Sequence, residues 1–432
     1  MRALILLLTL TPLTAAAAPE PLTLERAQRL ALARYPAALN LDERVVQAQA
    51  LTRRAWAILL PNLSASASVT RNSQEVTIDP ALFGAPAGAD RIVISELWGK
   101  RLGFSANMVL LKASALPLLK SAYSNLELAQ ERGRFDKNEL LFAVARTFYQ
   151  AHTTQELVRA AQENLRTARD LGREAELRKQ VGQTTRIDLL RARIQVTAAE
   201  RALQDARDAV KLTRYALSTL TGLGGDLVIA PPPRPGVPEG DLADLEADAL
   251  RERRDLRALE LGVAIAERDR LSTWLKWVPD IDVTYSWTWD SAGGFTGEND
   301  TWQLIFGGRW SLLEGGSRFA ELAERRSRVR VSKNNLKQQR LEIREEVRAA
   351  SLELARARRN LALADRQLTL ARETHDAVHQ QYGQGLATSL DVQTAFSELQ
   401  ARRVGQVVER LNRDLALLAL QRAAGRLAPA IP

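Results

Sequence analysis

Proline is absent from residues 118–230 and again from residues 280–428 of this 432-residue chain. Because proline breaks the interior of a helix, two such long intervals leave room for unusually long helices. Leu354, Leu361 and Leu368 recur at the seven-residue spacing of a coiled-coil seam. Only 5% of the residues are aromatic and 26% are charged, which is typical of long helices rather than a thick globular core. The sequence therefore predicts a mostly α-helical protein.

One short glycine-containing turn interrupts each helical tract. The stretch VGQTTRIDLL begins at Val181, and YGQGLATSLDV begins at Tyr382. In both, a glycine (Gly182 or Gly385) is followed three residues later by a threonine, and an aspartate follows three residues after that threonine. Glycine commonly ends a helix, and a threonine three residues before an acid is a capping box that begins the next one. Each tract is thus predicted to be a helical hairpin.

The two turns belong to a larger internal repeat. Besides the turns, the stretch WAILLPNLSASASV from Trp56 matches WLKWVPDIDVTYSW from Trp274. We interpret residues 18–229 and 242–432 as two copies of one unit, joined by the proline-rich linker 230–241. Each copy is predicted to read helix, strand, loop, strand, long helix, turn and shorter helix. The first helix is expected to run unbroken from Leu24 to Leu59 and to end at Pro61.

Four segments with alternating character are predicted as strands: 63–71, 101–111, 281–290 and 301–313. At these lengths each could cross a bilayer when tilted. All eight tryptophans lie on these strands or close to them, and none lies in the long helices. They are Trp56, Trp98, Trp274, Trp277, Trp287, Trp289, Trp302 and Trp310. Membrane barrels concentrate aromatic residues at the two bilayer interfaces, so we expect these side chains to be membrane-interface aromatics. The alternative is an ordinary core within a small β-domain.

The N-terminal segment indicates export. MRALILLLTLTPLTAAAAP has a basic residue at Arg2, a short apolar run and small residues, which together predict a signal peptide over residues 1–17. No later segment is apolar enough for a membrane helix, so a membrane part would have to consist of β-strands. Four strands cannot close a barrel. The predicted fold class is therefore mostly α with a membrane β-barrel part, in which a homotrimer forms a 12-stranded barrel and a long α-helical barrel.

Several kinds of chemistry have little support in the sequence. The chain has no cysteine, which excludes disulfides and thiolate sites. His375 and His379 have the spacing of a metal pair on a helix, but no third ligand is indicated. The formal net charge is +9, yet arginines alternate with acids and form no basic block for nucleic acid. We expect no catalytic, cofactor or metal site and no nucleic-acid partner.

The opening stretch LTLERAQRLALARYP, from Leu22 to Pro36, resembles the first motif of the TolC-like outer-membrane efflux proteins. Together with the duplicated turns and strand pairs, the resemblance covers essentially the whole mature chain. It implies a trimeric channel in the outer membrane of a Gram-negative bacterium, surrounded by outer-membrane lipid and extending into the periplasm. It also implies docking onto a periplasmic adaptor (membrane fusion) protein and an inner-membrane transporter.

The same resemblance assigns roles to the two turns. It implies a periplasmic gate formed by Asp188, Asp391 and Tyr382, with Tyr382 and Asp188 placed for a hydrogen-bonded lock between neighbouring helix pairs. It also implies an adaptor-docking tip formed by Gly182, Gln183, Thr184, Thr185, Gly385, Leu386, Ala387 and Thr388. Ala387 and Thr394 stand where some family members carry a basic and an acidic residue, so the gate is expected to be weaker or less cation-selective.

The predicted function is that of a passive exit duct for a tripartite efflux pump or type I secretion system, without enzymatic activity. The alternative from another class is a secreted or periplasmic coiled-coil interaction protein with a small β-domain. A detergent-resistant trimer in outer-membrane fractions would favour the duct.

Overall fold

A computed structural model describes residues 21–84, 86, 90–224, 227–293 and 298–426. The helices are α1 (Leu24–Arg34), α2 (Pro36–Trp56), α3 (Ala115–Gln180), α4 (Arg186–Thr221), α5 (Leu242–Glu252), α6 (Arg254–Leu275), α7 (Ser317–Gly383) and α8 (Ser389–Ala423). The strands are β1 (Asn62–Arg71), β2 (Val76–Ile78), β3 (Ile92–Ser95), β4 (Trp98–Leu111), β5 (Asp280–Asp290) and β6 (Asp300–Arg309). The predicted signal peptide lies outside the described residues. Across the described part of the chain, no helix is both long and apolar enough to cross a bilayer.

The prediction of one continuous N-terminal helix was wrong. Tyr35 adopts an extended conformation (φ −70°, ψ 122°) between α1 and α2, and α2 ends at Trp56 rather than Leu59. Pro36 follows directly, and the proline ring disfavours the helical conformation of the residue before it. Arg253 makes a matching break between α5 and α6 (φ −69°, ψ 123°), although no proline follows it.

The prediction of long helices interrupted by glycine turns is confirmed. Helix α3 has 66 residues and α7 has 67, and each leads through a short turn into a shorter helix of 36 or 35 residues. Two members of the predicted seam, Leu354 and Leu368, are buried, with 5% and 4% of their surface exposed. The seam thus supplies packing surface for the second hairpin.

The chain divides into two compact units. Within the described residues, the first comprises those up to Leu41, the range Phe135–Arg253 and those from Glu342 onward. One of its core clusters joins residues of α1, α3, α4 and α8, including Ala27, Val144, Phe148, Leu217 and Leu418. The second unit comprises Asp42–Arg134 and Arg254–Leu341 and contains the strands.

The main sheet has the strand order β1-β4-β5-β6, and every neighbouring pair is antiparallel. The central pairing, β4 with β5, joins strands that are far apart in the chain and aligns Phe104 with Trp287. Strand β6 ends at Arg309, four residues before the predicted end, and β4 begins at Trp98, three residues before its predicted start. Strands β2 and β3 form a separate two-stranded sheet.

The two faces of this four-stranded sheet differ in polarity. Side chains alternate between faces along a strand, and directly paired residues share a face. The row Trp302, Trp287, Phe104 and Ala65 therefore lies on one face. That face also carries Leu63, Val69, Leu102, Ala106, Met108, Val283, Tyr285, Trp289, Leu304 and Phe306, with the charged residues Arg71, Lys100 and Asp300 at one end. The opposite face is mainly polar and carries Ser64, Ser66, Ser68, Arg101, Ser105, Asn107, Thr284, Ser286, Thr288, Asp290, Thr301 and Gln303.

Hydrogen bonds link side chains across the polar face. The Ser64 and Ser105 hydroxyl oxygens lie 2.7 Å apart, and Asn107 donates to the Thr284 hydroxyl at 2.7 Å. Leu63 and Phe306 on the apolar face are 63% and 70% exposed. Within the described residues, β1 and β6 each have a sheet partner on one side only. The sheet thus has an exposed apolar face and two unpaired edges.

Candidate functional site: the paired helical turns

Both turns use the same backbone geometry to end the long helix. Gly182 and Gly385 have φ angles of 76° and 78°, in the left-handed region that a glycine adopts without steric cost. The amide after each glycine returns to the helix: Gln183 donates to the Arg178 carbonyl at 2.8 Å, and Leu386 donates to the Gln381 carbonyl at 2.9 Å. This pairing is the Schellman motif, which satisfies carbonyls at the end of a helix.

A capping box then begins the next helix in each hairpin. The Thr185 hydroxyl accepts from the Asp188 amide at 3.2 Å, and Asp188 Oδ2 accepts from the Thr185 amide at 3.2 Å. The matching bonds between Thr388 and Asp391 are 3.3 Å and 2.9 Å. The capping boxes predicted from the sequence are confirmed. These hydrogen bonds join residues only three apart. Helix capping alone therefore explains why the threonine and aspartate recur in both turns.

Asp188 makes contacts that its counterpart lacks. Its Oδ1 accepts a hydrogen bond of 2.5 Å from the Ser389 hydroxyl, which belongs to the other hairpin, 201 residues away in sequence. Its Oδ2 also accepts from the Thr184 hydroxyl at 3.2 Å. Hydrogen bonds from Ser389 and then from Thr185 lower the pKa of Asp188 to about 2, because each donor favours the charged carboxylate. Asp188 is therefore a charged group whose side chain is only 19% exposed.

Asp391 is more open. Its carboxylate is held by the hydroxyl and amide of Thr388, and these two bonds lower its pKa. Ala387 occupies the position that corresponds to Thr184 and has no hydroxyl to donate. Asp391 as a whole is exposed, so the charge of its carboxylate faces solvent at the surface of the turn.

Tyr382 contacts the other hairpin through its ring. The Arg178 guanidinium lies 4.2 Å from the centre of the Tyr382 ring, and Arg178 Nε donates to Glu174 at 3.0 Å. Burial raises the pKa of the Tyr382 hydroxyl; Arg178 opposes this shift, and the nearby acids Glu174 and Asp188 add to it. Within one chain the structure gives no hydrogen bond between Tyr382 and Asp188, so the predicted lock between them stays a prediction.

A small cavity lies beside these contacts. It has a volume of about 30 Å³, and its lining includes Asp188, Tyr382, Ser389, Gln195 and Phe396. A cavity of this size has room for about one water molecule. Residues of all four helices line this cavity, so the helix ends meet around it.

All eight residues predicted as the docking tip lie in these two turns. Leu386 is a strongly exposed apolar side chain among them, at 75%. A methyl group added at Gly182 or Gly385 would meet no atom within 4 Å. The sequence prediction missed Ser389 and Arg178, although both contact predicted gate residues. The only sequence signal was indirect: Ser389 stands where the first copy has Arg186.

The eight tryptophans lie near the ends of the sheet or on it. Trp287, Trp289 and Trp302 belong to the apolar face of β5 and β6. Trp98 begins β4, and Trp56 and Trp274 lie at the ends of α2 and α6. Trp277 and Trp310 flank the strands, and Trp310 Nε1 donates to the Trp277 carbonyl at 3.1 Å. Their placement at a membrane interface stays a prediction.

His375 and His379 lie close together on α7. The rings of His375 and His379 lie 6.1 Å apart, and His375 Nδ1 is 3.1 Å from an Asp376 oxygen. Over the ranges that the structure describes, no group of three or more His, Cys, Asp or Glu side chains is arranged to hold a metal.

Comparison with known proteins assigns the chain to a protein family. The family described as "Outer membrane efflux protein" matches residues 28–223 and 245–426, which is most of the chain. The chain belongs to the outer membrane efflux protein family. It is similar to the outer membrane efflux protein BepC of Brucella suis, with 24% identity over 307 residues, 69% of this chain and 66% of that protein. The match thus spans just under two thirds of the Brucella protein.

Solved structures share the fold of this outer membrane efflux protein. CusC, described as a transmembrane channel, superposes with a TM-score of 0.80 at 18% identity, covering 94% of this chain and 92% of CusC. The outer membrane protein VceC of Vibrio cholerae gives a TM-score of 0.76 at 18% identity, covering 93% of this chain and 96% of VceC. The predicted fold class is confirmed.

Family membership decides between the two functions considered from the sequence. As an outer membrane efflux protein by family, the chain fits the first of these better than a secreted or periplasmic coiled-coil interaction protein. The resemblance inferred from LTLERAQRLALARYP and the duplicated turns is thereby confirmed.

Proposed function

We propose that the chain forms a homotrimeric exit duct that carries material passively from a periplasmic entrance to the cell exterior. The observation that carries the proposal is the sheet, which has one mainly apolar face and one mainly polar face. In a transmembrane barrel the outward residues contact lipid and the inward residues line a water-filled lumen. The apolar row that contains Trp287 and Phe104 would then face outer-membrane lipid. The row that contains Ser105 and Thr284 would face the lumen.

The number of copies follows from the unpaired strand edges. Inside a bilayer an unpaired edge exposes backbone N–H and C=O groups to hydrocarbon, at a cost of several kcal/mol for each group. Four strands are too few to close on themselves, because small barrels have about eight. Pairing β1 of one copy with β6 of the next closes a ring, and three copies give the twelve strands expected from the sequence.

The paired turns would form the periplasmic entrance in this assembly. Three copies would bring three Asp188 and three Asp391 carboxylates to one end of the helical barrel. A ring of carboxylates at a constriction attracts cations and repels anions. Asp391 is the exposed member of the pair, so its charge would dominate selectivity.

The proposed partners are a periplasmic adaptor protein and an inner-membrane transporter, which would supply the energy. Gly182 and Gly385 have no side chain and Ala387 has only a methyl group. The backbones of the two turns are therefore open to an incoming helical hairpin. Residues 18–229 and 242–432 would be the two copies of the duplicated unit, joined by the linker 230–241. The chain itself would catalyse no reaction and need no cofactor.

Ion selectivity in planar lipid bilayers tests this proposal. The purified protein should give cation-selective channels, and Asp391→Asn should move the reversal potential in a salt gradient towards zero. Asp205→Asn is the matched control, because Asp205 is an exposed aspartate on α4 with a side chain that is 71% exposed. An absence of channels, or equal selectivity in all three proteins, would contradict the proposed duct with its carboxylate entrance.

A further inference from the structure

An open groove on the first unit lies apart from the paired turns. It runs between α3 and α4 and has a volume of about 640 Å³. Val158, Val210 and Val228 form the apolar part of its lining. Among the described residues that line this groove, none is acidic and four are basic: Arg159, Arg207, Lys211 and Arg214. The groove therefore combines an apolar surface with a concentration of positive charge.

Two of these charges are not neutralised by the chain itself. Arg159 on α3 and Arg207 on α4 are exposed, and within the described residues neither forms an ion pair or a side-chain hydrogen bond. Lys211 differs, because its ammonium lies 2.9 Å from an Asp208 oxygen. A guanidinium presents a planar set of donors that matches the two oxygens of a carboxylate. An acidic ligand in the groove would therefore find one unpaired arginine on each wall.

We propose that this basic groove binds the carboxylate-bearing peptide stems of peptidoglycan. The proposal rests on the proposed function, because a duct whose helices extend into the periplasm has to pass through the cell wall. The shape of the groove favours a polymer over a membrane surface. A flat layer of lipid headgroups contacts protruding side chains, whereas a peptide can lie along the roughly 10 Å of α4 between Arg207 and Arg214. The groove also belongs wholly to the first unit, and the strands belong to the second.

The basic groove is not the face of α4 that a neighbouring copy would cover. Helix α4 carries a separate apolar stripe that includes Ile194 and Leu212, which are 66% and 68% exposed. Arg207 lies about 140° around the helix from both residues, since each residue turns the helix by about 100°. In the proposed trimer the apolar stripe is the surface to bury against another copy. The basic groove would then stay accessible in the assembly.

The groove would open to the periplasm rather than to the lumen. Val228 lies beside it in a segment that pairs with the N-terminal part of the chain, where its carbonyl accepts from the Leu22 amide at 2.7 Å. Leu22 and Ile229 belong to the core cluster that α1 forms with α3 and α4. These segments form an additional layer on the long helices, and a lumen stays open only if such a layer lies outside it. The basic groove beside Val228 is therefore on the side that faces the cell wall.

Co-sedimentation of the purified protein with isolated Gram-negative sacculi tests the proposal. The wild type should pellet with the sacculi, and the bound fraction should fall as salt is added, because salt screens exposed charges. Arg159→Gln combined with Arg207→Gln should weaken binding by about tenfold, since each exposed ion pair contributes about threefold. Sacculi whose carboxylates have been converted to amides should not bind the wild type. This last arm needs no variant, so it tests the proposal even if a variant fails to fold.

The matched control combines Arg201→Gln with Arg356→Gln. It removes the same amount of charge from two arginines that pair within their own helices, Arg201 with Asp205 at 3.8 Å and Arg356 with Glu353 at 2.7 Å. The control should bind sacculi as the wild type does. Trimer yield on gels and thermal unfolding show whether each variant is folded.

The outcomes separate the basic groove from the proposed duct. Weaker binding in the groove variant alone, together with loss of binding to amidated sacculi, supports the proposal. Equal binding by the groove variant and the control overturns it, and so does equal binding to amidated sacculi. Pelleting with phosphatidylglycerol vesicles but not with sacculi also overturns it, because the groove would then recognise lipid. Planar-bilayer currents from the same preparations report on the duct: normal channels without sacculus binding remove only the groove proposal, and an absence of channels removes the duct.

Discussion

Replacing Glu346 with glutamine should destabilise the first unit, because this carboxylate lies between two arginines. Glu346 accepts hydrogen bonds from Arg253 and Arg422, and Arg422 also donates to Glu139 at 2.8 Å. The Arg253 side chain is only 9% exposed, whereas Glu346 is 30% exposed. The substitution keeps the shape of the side chain and removes its negative charge. Arg253 would keep its 3.5 Å contact with the Ala423 carbonyl but lose the Glu346 carboxylate.

The loss of stability in Glu346→Gln depends on how far each partner of Glu346 is buried. Breaking a fully buried ion pair costs about 3–5 kcal/mol, and an exposed pair is worth about 0–1 kcal/mol. Only Arg253 is close to fully buried here, and Arg422 retains Glu139. We therefore expect Glu346→Gln to lower the free energy of unfolding by about 2 kcal/mol. A loss of this size lowers Tm by about 4 °C in a unit of this size.

Amide hydrogen exchange along α7 and α8, with thermal unfolding in detergent, measures the effect. Exchange of the protected amides near Glu346 should be about 30-fold faster in Glu346→Gln. The matched control is Glu353→Gln, two turns further along α7, whose exposed pair with Arg356 at 2.7 Å stays within one helix. That control should change stability by less than about 0.5 kcal/mol. If both variants behaved alike, the interhelical network would not stabilise the unit and the reasoning would be refuted.

Two further predictions concern the entrance and the membrane part. Because the folded pKa of Asp188 is lowered from 3.8 to about 2, its contribution to hairpin pairing is present above about pH 4 and lost as the pH falls towards 2. Bilayer conductance should accordingly be constant from neutral pH down to about pH 4 and rise below it; a rise near pH 6 would point to another group. Trp287→Asp should reduce trimer insertion, at about 2 kcal/mol per chain, whereas Thr288→Asp on the opposite face should insert as the wild type; equal insertion of both would refute the assignment of faces.

Features that depend on residues close together in the chain could be predicted from the sequence. The Schellman turns and capping boxes involve residues no more than five apart, so the glycine, threonine and aspartate spacing at 182–188 and 385–391 was sufficient to predict them. The alternation of side chains along β5 could be predicted for the same reason, because side-chain direction in a strand has a period of two residues. The break at Tyr35 is also local, because Pro36 disfavours the helical conformation of the residue before it, and the prediction of one continuous helix was wrong there.

Contacts between distant segments needed the tertiary structure. The pairing of β4 with β5 joins residues almost 190 apart, as in the Arg101–Asp290 bond, and nothing in either strand specifies the other. The Ser389–Asp188 bond joins residues 201 apart, and it depends on how two hairpins pack rather than on any motif. Sequence patterns determine which groups are available within a few residues. Packing decides which of those groups meet, because a hydrogen bond requires a separation of about 3 Å that only the folded chain imposes.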